Sequence, residues 1–150
     1  MKRRDLGSAL LLAIAVAVGA AREFLFVNLN YQLDFQEHVR DRNYAHSLFQ
    51  AWTVGWDAGG LRLAKWSLAI LCILLMLGLT VFLARIRFSD HRYRRPLVLG
   101  FAFIASLALA CHGLGHAWPA LGPISIKLLH ALQYPVPMLF VWVLSWGAPR

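Results

Sequence analysis

The chain has 150 residues, 59% of them hydrophobic, and a mean hydropathy of +0.58. A soluble domain is typically about 45–50% apolar, so this composition excludes an ordinary water-soluble globule. The net charge of +8 is gathered at the edges of apolar runs, which argues for membrane topology and against nucleic-acid binding.

The chain opens on Lys2, Arg3 and Arg4 followed by an apolar stretch, the outline of a secretory signal with Val18-Gly19-Ala20 as a candidate cleavage site. Apolar character resumes after Arg22-Glu23 as FLFVNL, however. The whole run over 6–28 is long enough to cross a bilayer, so it is read as a retained first span. Ala9, Ala13, Ala17 and Ala21 recur every four residues, a spacing that lets a second helix approach closely.

Residues 29–63 form the sizeable loop, with Asp34, Glu37, Asp41 and Asp57 set against Arg40, Arg42 and Arg62. Asp34 followed three residues later by Glu37 resembles a capping box, and Phe35, Val39, Ala45, Phe49, Trp52 and Trp56 recur at roughly helical spacing. The pattern predicts an amphipathic helix lying in the membrane interface, its tryptophans at headgroup depth, ended by Asp57-Ala58-Gly59-Gly60.

The second span is expected over 64–84, followed by the arginine-rich segment that carries Arg85, Arg87, Arg92, Arg94 and Arg95. A third span over 96–118 and the uncharged turn PALGP lead to a fourth over 124–146, interrupted by Pro135 and Pro137. Those prolines remove two backbone donors and free the carbonyls of Ala131 and Gln133. Cys72 and Cys111 form no CxxC pair and read as small buried hydrophobes.

The fold class expected is an all-α integral membrane protein: one transmembrane domain, a four-helix bundle with an interfacial helix in its first extracytoplasmic loop. The positive-inside rule places both termini and the arginine segment in the cytoplasm, as in a bacterial inner-membrane protein. The arginines then anchor the chain to anionic lipid at the cytoplasmic face.

Ionisable residues within the spans mark the candidate site. Arg22, Glu23, His112, His116, Lys127 and His130 are expected near one level, roughly 9 Å inside the outer edge, as a buried, inward-facing cluster open to the outside. Asn28, Asn30, Asp34 and His38 are candidate contributors from above it. Ala108, His112 and His116 share a helical face, as do Lys127, His130 and Tyr134, and as do Glu23, Val27, Asn30 and Asp34 if the first helix continues. Arg22 and Glu23 should point about 100° apart, which makes Lys127 the expected partner of Glu23.

Three functions fit this pattern. The first is a non-enzymatic accessory or structural subunit, its cluster holding helices together beside other membrane subunits or further copies of itself. The second is a cofactor protein: a metal ion on His112, His116 and His130 (or Glu23), or a haem between histidines of two helices such as His112 and His130. The third acts on a lipid or quinone at the outer leaflet, with Arg22 and Lys127 holding an anion and a histidine as general base. No GxSxG or HExxH motif accompanies it, and Ser125 is an ordinary candidate nucleophile.

Overall fold

The structure, a computed structural model, describes residues 3–88 and 93–147. Every element among them is helical: α1 (Arg3–Gln36), α2 (Ser47–Trp52), α3 (Ala58–Phe88), α4 (Arg94–Leu114), α5 (Leu121–Gln133) and α6 (Val136–Gly147). α1, α3 and α4 are long and apolar enough to cross a membrane, and α5 with α6 makes a fourth candidate if the bent pair is one span. This is the all-helical, membrane type of protein that the composition calls for.

The spans differ from the sequence expectation at their ends. α1 continues eight residues past Asn28 to Gln36, and α3 begins at Ala58 in place of 64. At 34 and 31 residues these helices run to about 50 and about 46 Å, well beyond a hydrocarbon core of about 30 Å. The chain divides into two compact units, one comprising Met1–Ala17 with Ile73–Arg150, the other Val18–Cys72.

In the first unit, the start of α1 lies against the end of α3. The Arg4 guanidinium donates to the backbone carbonyls of Ile86 (2.8 Å) and Arg87 (3.2 Å). These belong to the last turn of α3, where carbonyls lack intrahelical partners and a cation is favoured. Arg87 returns the contact with an ion pair to Asp5 at 3.0 Å. α4 and α5 form a helical hairpin through the turn at 115–120.

Between α5 and α6 the backbone bends by 58°. The residue before a proline is pushed out of helical geometry, and Tyr134 is extended (φ −103°, ψ 165°) ahead of Pro135. Pro137 then sits in the first turn of α6, where a missing N–H costs nothing. The interruption is thus a full break into arms of 13 and 12 residues. At about 20 Å or less, neither arm crosses a bilayer alone.

The small-residue stripe has a different environment from the one expected. Ala9, Ala13, Ala17 and Ala21 are all exposed. The buried face of α1 carries Ser8, Leu11, Ala15, Arg22, Leu29 and Leu33 instead. Alanine spacing alone fixes a face but not what covers it; the larger Leu11, Leu29 and Leu33 give more apolar area to bury.

In the second unit, Leu29, Leu33, Ala45, Phe49 and Leu61 make a hydrophobic core, with Leu25, Tyr31, Ala58, Ala64 and Leu68 packed on it. It joins the end of α1, the loop with α2, and the start of α3. The expected long interfacial helix is reduced to the six residues of α2, because Asp34 and Glu37 stand at the end of a helix and not at the start of one. His38 adopts the left-handed conformation (φ 56°), and its N–H donates to the Phe35 carbonyl at 3.2 Å. The Val39 N–H donates to the Asp34 carbonyl at 2.9 Å, which completes a Schellman termination of α1. The Asp34 carboxylate takes Arg40 at 3.0 Å, and Glu37 takes Arg62 at 2.7 Å. Asp57-Ala58-Gly59-Gly60 likewise starts a helix: Asp57 caps α3, accepting the Gly60 N–H on Oδ1 at 2.7 Å.

Candidate functional site

The six ionisable residues divide between the units. Arg22 and Glu23 lie in the unit of residues 18–72, whereas His112, His116, Lys127 and His130 belong to the other. Arg22 is the buried member, 3% exposed; Glu23, His112, His116, Lys127 and His130 are all exposed. This corrects the expectation that all six are buried. Helical periodicity assigns residues to a face without showing whether lipid, water or protein lies against it.

Arg22 and Glu23 pair with each other. The Arg22 Nη1 to Glu23 Oε2 distance is 2.9 Å, and the guanidinium lies 4.3 Å from the centre of the Phe26 ring. Both side chains are long enough to bend across the angle between adjacent helical positions, so the expected Glu23–Lys127 pairing is not required. A guanidinium over an aromatic face and against a carboxylate has much of its burial cost offset.

Asn28 plays a larger part than an upper contributor to a cluster. Its Nδ2 donates to the Phe24 carbonyl at 2.7 Å, and its Oδ1 accepts the His46 N–H at 2.6 Å. The His46 ring stands edge-on to Phe24 at 5.9 Å and accepts the Leu48 N–H, capping α2. Asn30 is exposed on α1. Asp34 and His38 are committed to the end of that helix.

The loop is tied down at three further points that sequence reading passes over. Asn43 Nδ2 donates to Gln32 Oε1 at 2.6 Å, Gln36 Nε2 donates to the Trp56 carbonyl at 2.6 Å, and Gln50 Nε2 donates to the Ala45 carbonyl. Uncharged amides carry no periodic signature. The one clue is how many of them fall in and around 28–50.

In the other unit the histidines do not share one face of one helix. α4 ends at Leu114, and His116 falls in the turn beyond it, where the Gly115 N–H donates to the His112 carbonyl. Gly113 and Gly115 favour such an ending, and the stripe from Ala108 through His112 stops short of His116. His112 is about 3 Å from the end of α4, whereas His130 is about 13 Å along α5 from its start. The two were expected at one level; the helix ends shift them apart. Among the described residues no group of three or more His, Cys, Asp or Glu side chains is placed to hold a metal ion.

The expected stripe on α5 is cut at its last member, since Tyr134 lies past the helix end. Lys127 and His130 are three residues apart on a continuous helix, and the His130 ring stands edge-on to Tyr134 at 6.0 Å. Ser125 and Gln133 of α5 are buried, the Ser125 Oγ without a hydrogen-bond partner. α5 thus carries buried Ser125, Leu132 and Gln133 together with exposed Lys127 and His130.

Of the arginines, Arg85, Arg94 and Arg95 are exposed and available to a lipid surface. Arg87 is turned onto Asp5, 16% exposed, and so departs from the anchoring set. Arg92 lies outside the described residues.

Comparison of the chain with protein-family models, curated protein sequences and solved structures gave no match. The class that the fold defines is an all-helical protein with three or four helices suited to cross a membrane.

Proposed function

We propose that the chain is a small polytopic protein of the bacterial inner membrane, a non-enzymatic accessory subunit that docks a larger partner within the bilayer. In this reading α1, α3, α4 and the broken α5–α6 pair make four spans, with both termini cytoplasmic. The joining of Arg4 and Asp5 to the end of α3 supports one cationic pole for the N-terminus and the arginine segment, in keeping with the positive-inside rule. Exposed Leu48, Trp52, Val54 and Trp56 of the first extracytoplasmic loop then meet the headgroups. Exposed Arg85, Arg94 and Arg95 rest on anionic lipid at the inner surface.

The observation that carries the proposal is the outward face of α5. Lys127 and His130 are exposed about 9 and about 13 Å into a helix whose other exposed residues include Ile124 and Ile126. A cation against lipid at the centre of a span costs about 2.5–3.5 kcal/mol on insertion scales. Against a neighbouring subunit that presents a carboxylate, the same group becomes an attachment point. The partner is therefore a membrane helix with an acidic side chain at that depth.

Lys127→Leu separates the two environments. If a subunit covers α5, the leucine variant loses a stoichiometric complex that survives mild-detergent purification of the wild type, and Lys127→Arg retains it. If lipid covers α5, leucine instead raises thermal stability and no complex is lost. That outcome would sink the subunit reading.

A further inference from the structure

An open cleft of about 500 Å³ lies at the head of α3, within the unit of residues 18–72. Trp56 and Asp57 form its upper edge, and Gly60, Leu63, Ala64 and Ser67 continue down one face of the helix. We infer that this cleft binds the headgroup of a phosphatidylethanolamine-type lipid, its primary ammonium held between the Asp57 carboxylate and the Trp56 indole. The inference rests on α3 as a membrane-crossing helix and is independent of the subunit role proposed above.

Charge selects the headgroup. Asp57 is the single charged residue among those lining the cleft. Its Oδ1 is occupied by the Gly60 N–H, and Oδ2 remains to accept from a ligand. A Cβ at position 59 would stand 3.3 Å from Oδ2, so glycine there keeps that oxygen uncrowded. The nearby cation Arg62 is held by Glu37 through both Nε and Nη2, at 3.1 and 2.7 Å. The cleft therefore offers a carboxylate and an aromatic face with no cation lining it, a pairing that suits an ammonium and disfavours a purely anionic headgroup.

The receptor is built before any ligand arrives. Gly55 takes φ +80° in the turn that carries Trp56, whose N–H donates to the Thr53 carbonyl at 3.1 Å. Gln36 clamps the Trp56 carbonyl from the end of α1. The Trp56 backbone is thereby fixed on both sides, next to Asp57 in the chain. Leu63, Ala64 and Ser67 follow within the apolar span, so the lipid's glycerol and upper acyl chain run along them while the headgroup stays at the rim. Ser67 supplies a hydroxyl for the ester region.

The test titrates detergent-purified protein with phosphatidylethanolamine or phosphatidylglycerol of matched chains and counts bound lipid by native mass spectrometry. Wild type should retain the ethanolamine lipid about fivefold over the glycerol lipid, the combined effect of one exposed ion pair and one cation–π contact. Asp57→Asn keeps the helix cap, since asparagine caps as well as aspartate, but removes the charge. It should reduce the preference to the share left by the cation–π contact, with unchanged helicity and melting. Trp56→Leu, which leaves the cap untouched, should reduce the preference and serves if the first variant melts. Equal retention of both lipids by wild type, or a preference that survives both substitutions, overturns the inference.

Discussion

Asn28→Leu should detach the loop over 37–57 from α1 while leaving the long helices intact. The substitution preserves shape but strips the acceptor from the His46 N–H, which Asn28 holds at 2.6 Å. A backbone donor left without a partner costs about 1–3 kcal/mol. His46 also caps α2, which has only six residues and no helical stability of its own. The loss should therefore spread through Leu48 and Phe49. Hydrogen exchange should show residues 45–53 losing protection by tens-fold, with α3 and α4 unchanged. Uniform loss of protection along every helix would show instead that Asn28 supports the whole chain.

Arg22→Met should lower stability in mixed micelles by about 2 kcal/mol. Breaking a fully buried ion pair costs about 3–5 kcal/mol, and the smaller figure applies because Glu23 is more than half exposed. The double variant Arg22→Met/Glu23→Gln should recover part of the loss, since it leaves no carboxylate without its counter-charge. Denaturant titration of the four proteins in the cycle measures this coupling directly. A double variant less stable than Arg22→Met alone would show that Glu23 has a partner that matters more to it than Arg22.

Apolar runs longer than a bilayer is thick are written plainly in the sequence, and α1, α3 and α4 were legible for that reason. Their ends were not. Asp34 with Glu37 has the letters of a helix start, yet the backbone there closes a helix by a Schellman turn through His38, a residue that seldom takes a positive φ. The same ambiguity misplaced Asp57-Ala58-Gly59-Gly60, whose glycines suggest a break but whose aspartate makes a cap. Pro135 signalled the interruption of the last span, though not its 58° bend, because the angle depends on how each arm packs.

The candidate site was legible as an inventory and not as an arrangement. Depth counting treated Trp118 as the end of the third span; α4 in fact stops at Leu114, and four residues of helix are enough to separate His112 from the level of His130. Lys127 and His130 do share the continuous helix α5, whereas Tyr134 lies just past its end in extended geometry and meets His130 through a ring contact. The amides that fasten the unit of residues 18–72 beyond Asn28, namely Gln32, Asn43 and Gln50, gave no comparable signal, since side-chain amides find partners at no fixed spacing.

The measurement that bears most directly on the subunit role is site-specific photocrosslinking in native membranes. A photoreactive residue at position 130 leaves Lys127 in place on the same face of α5, and one at the exposed Phe103 of α4 serves as the control. A subunit docked on α5 should give one discrete protein adduct from position 130, absent in the Lys127→Leu background, and only lipid adducts from position 103. Lipid adducts alone from both positions would contradict that docking.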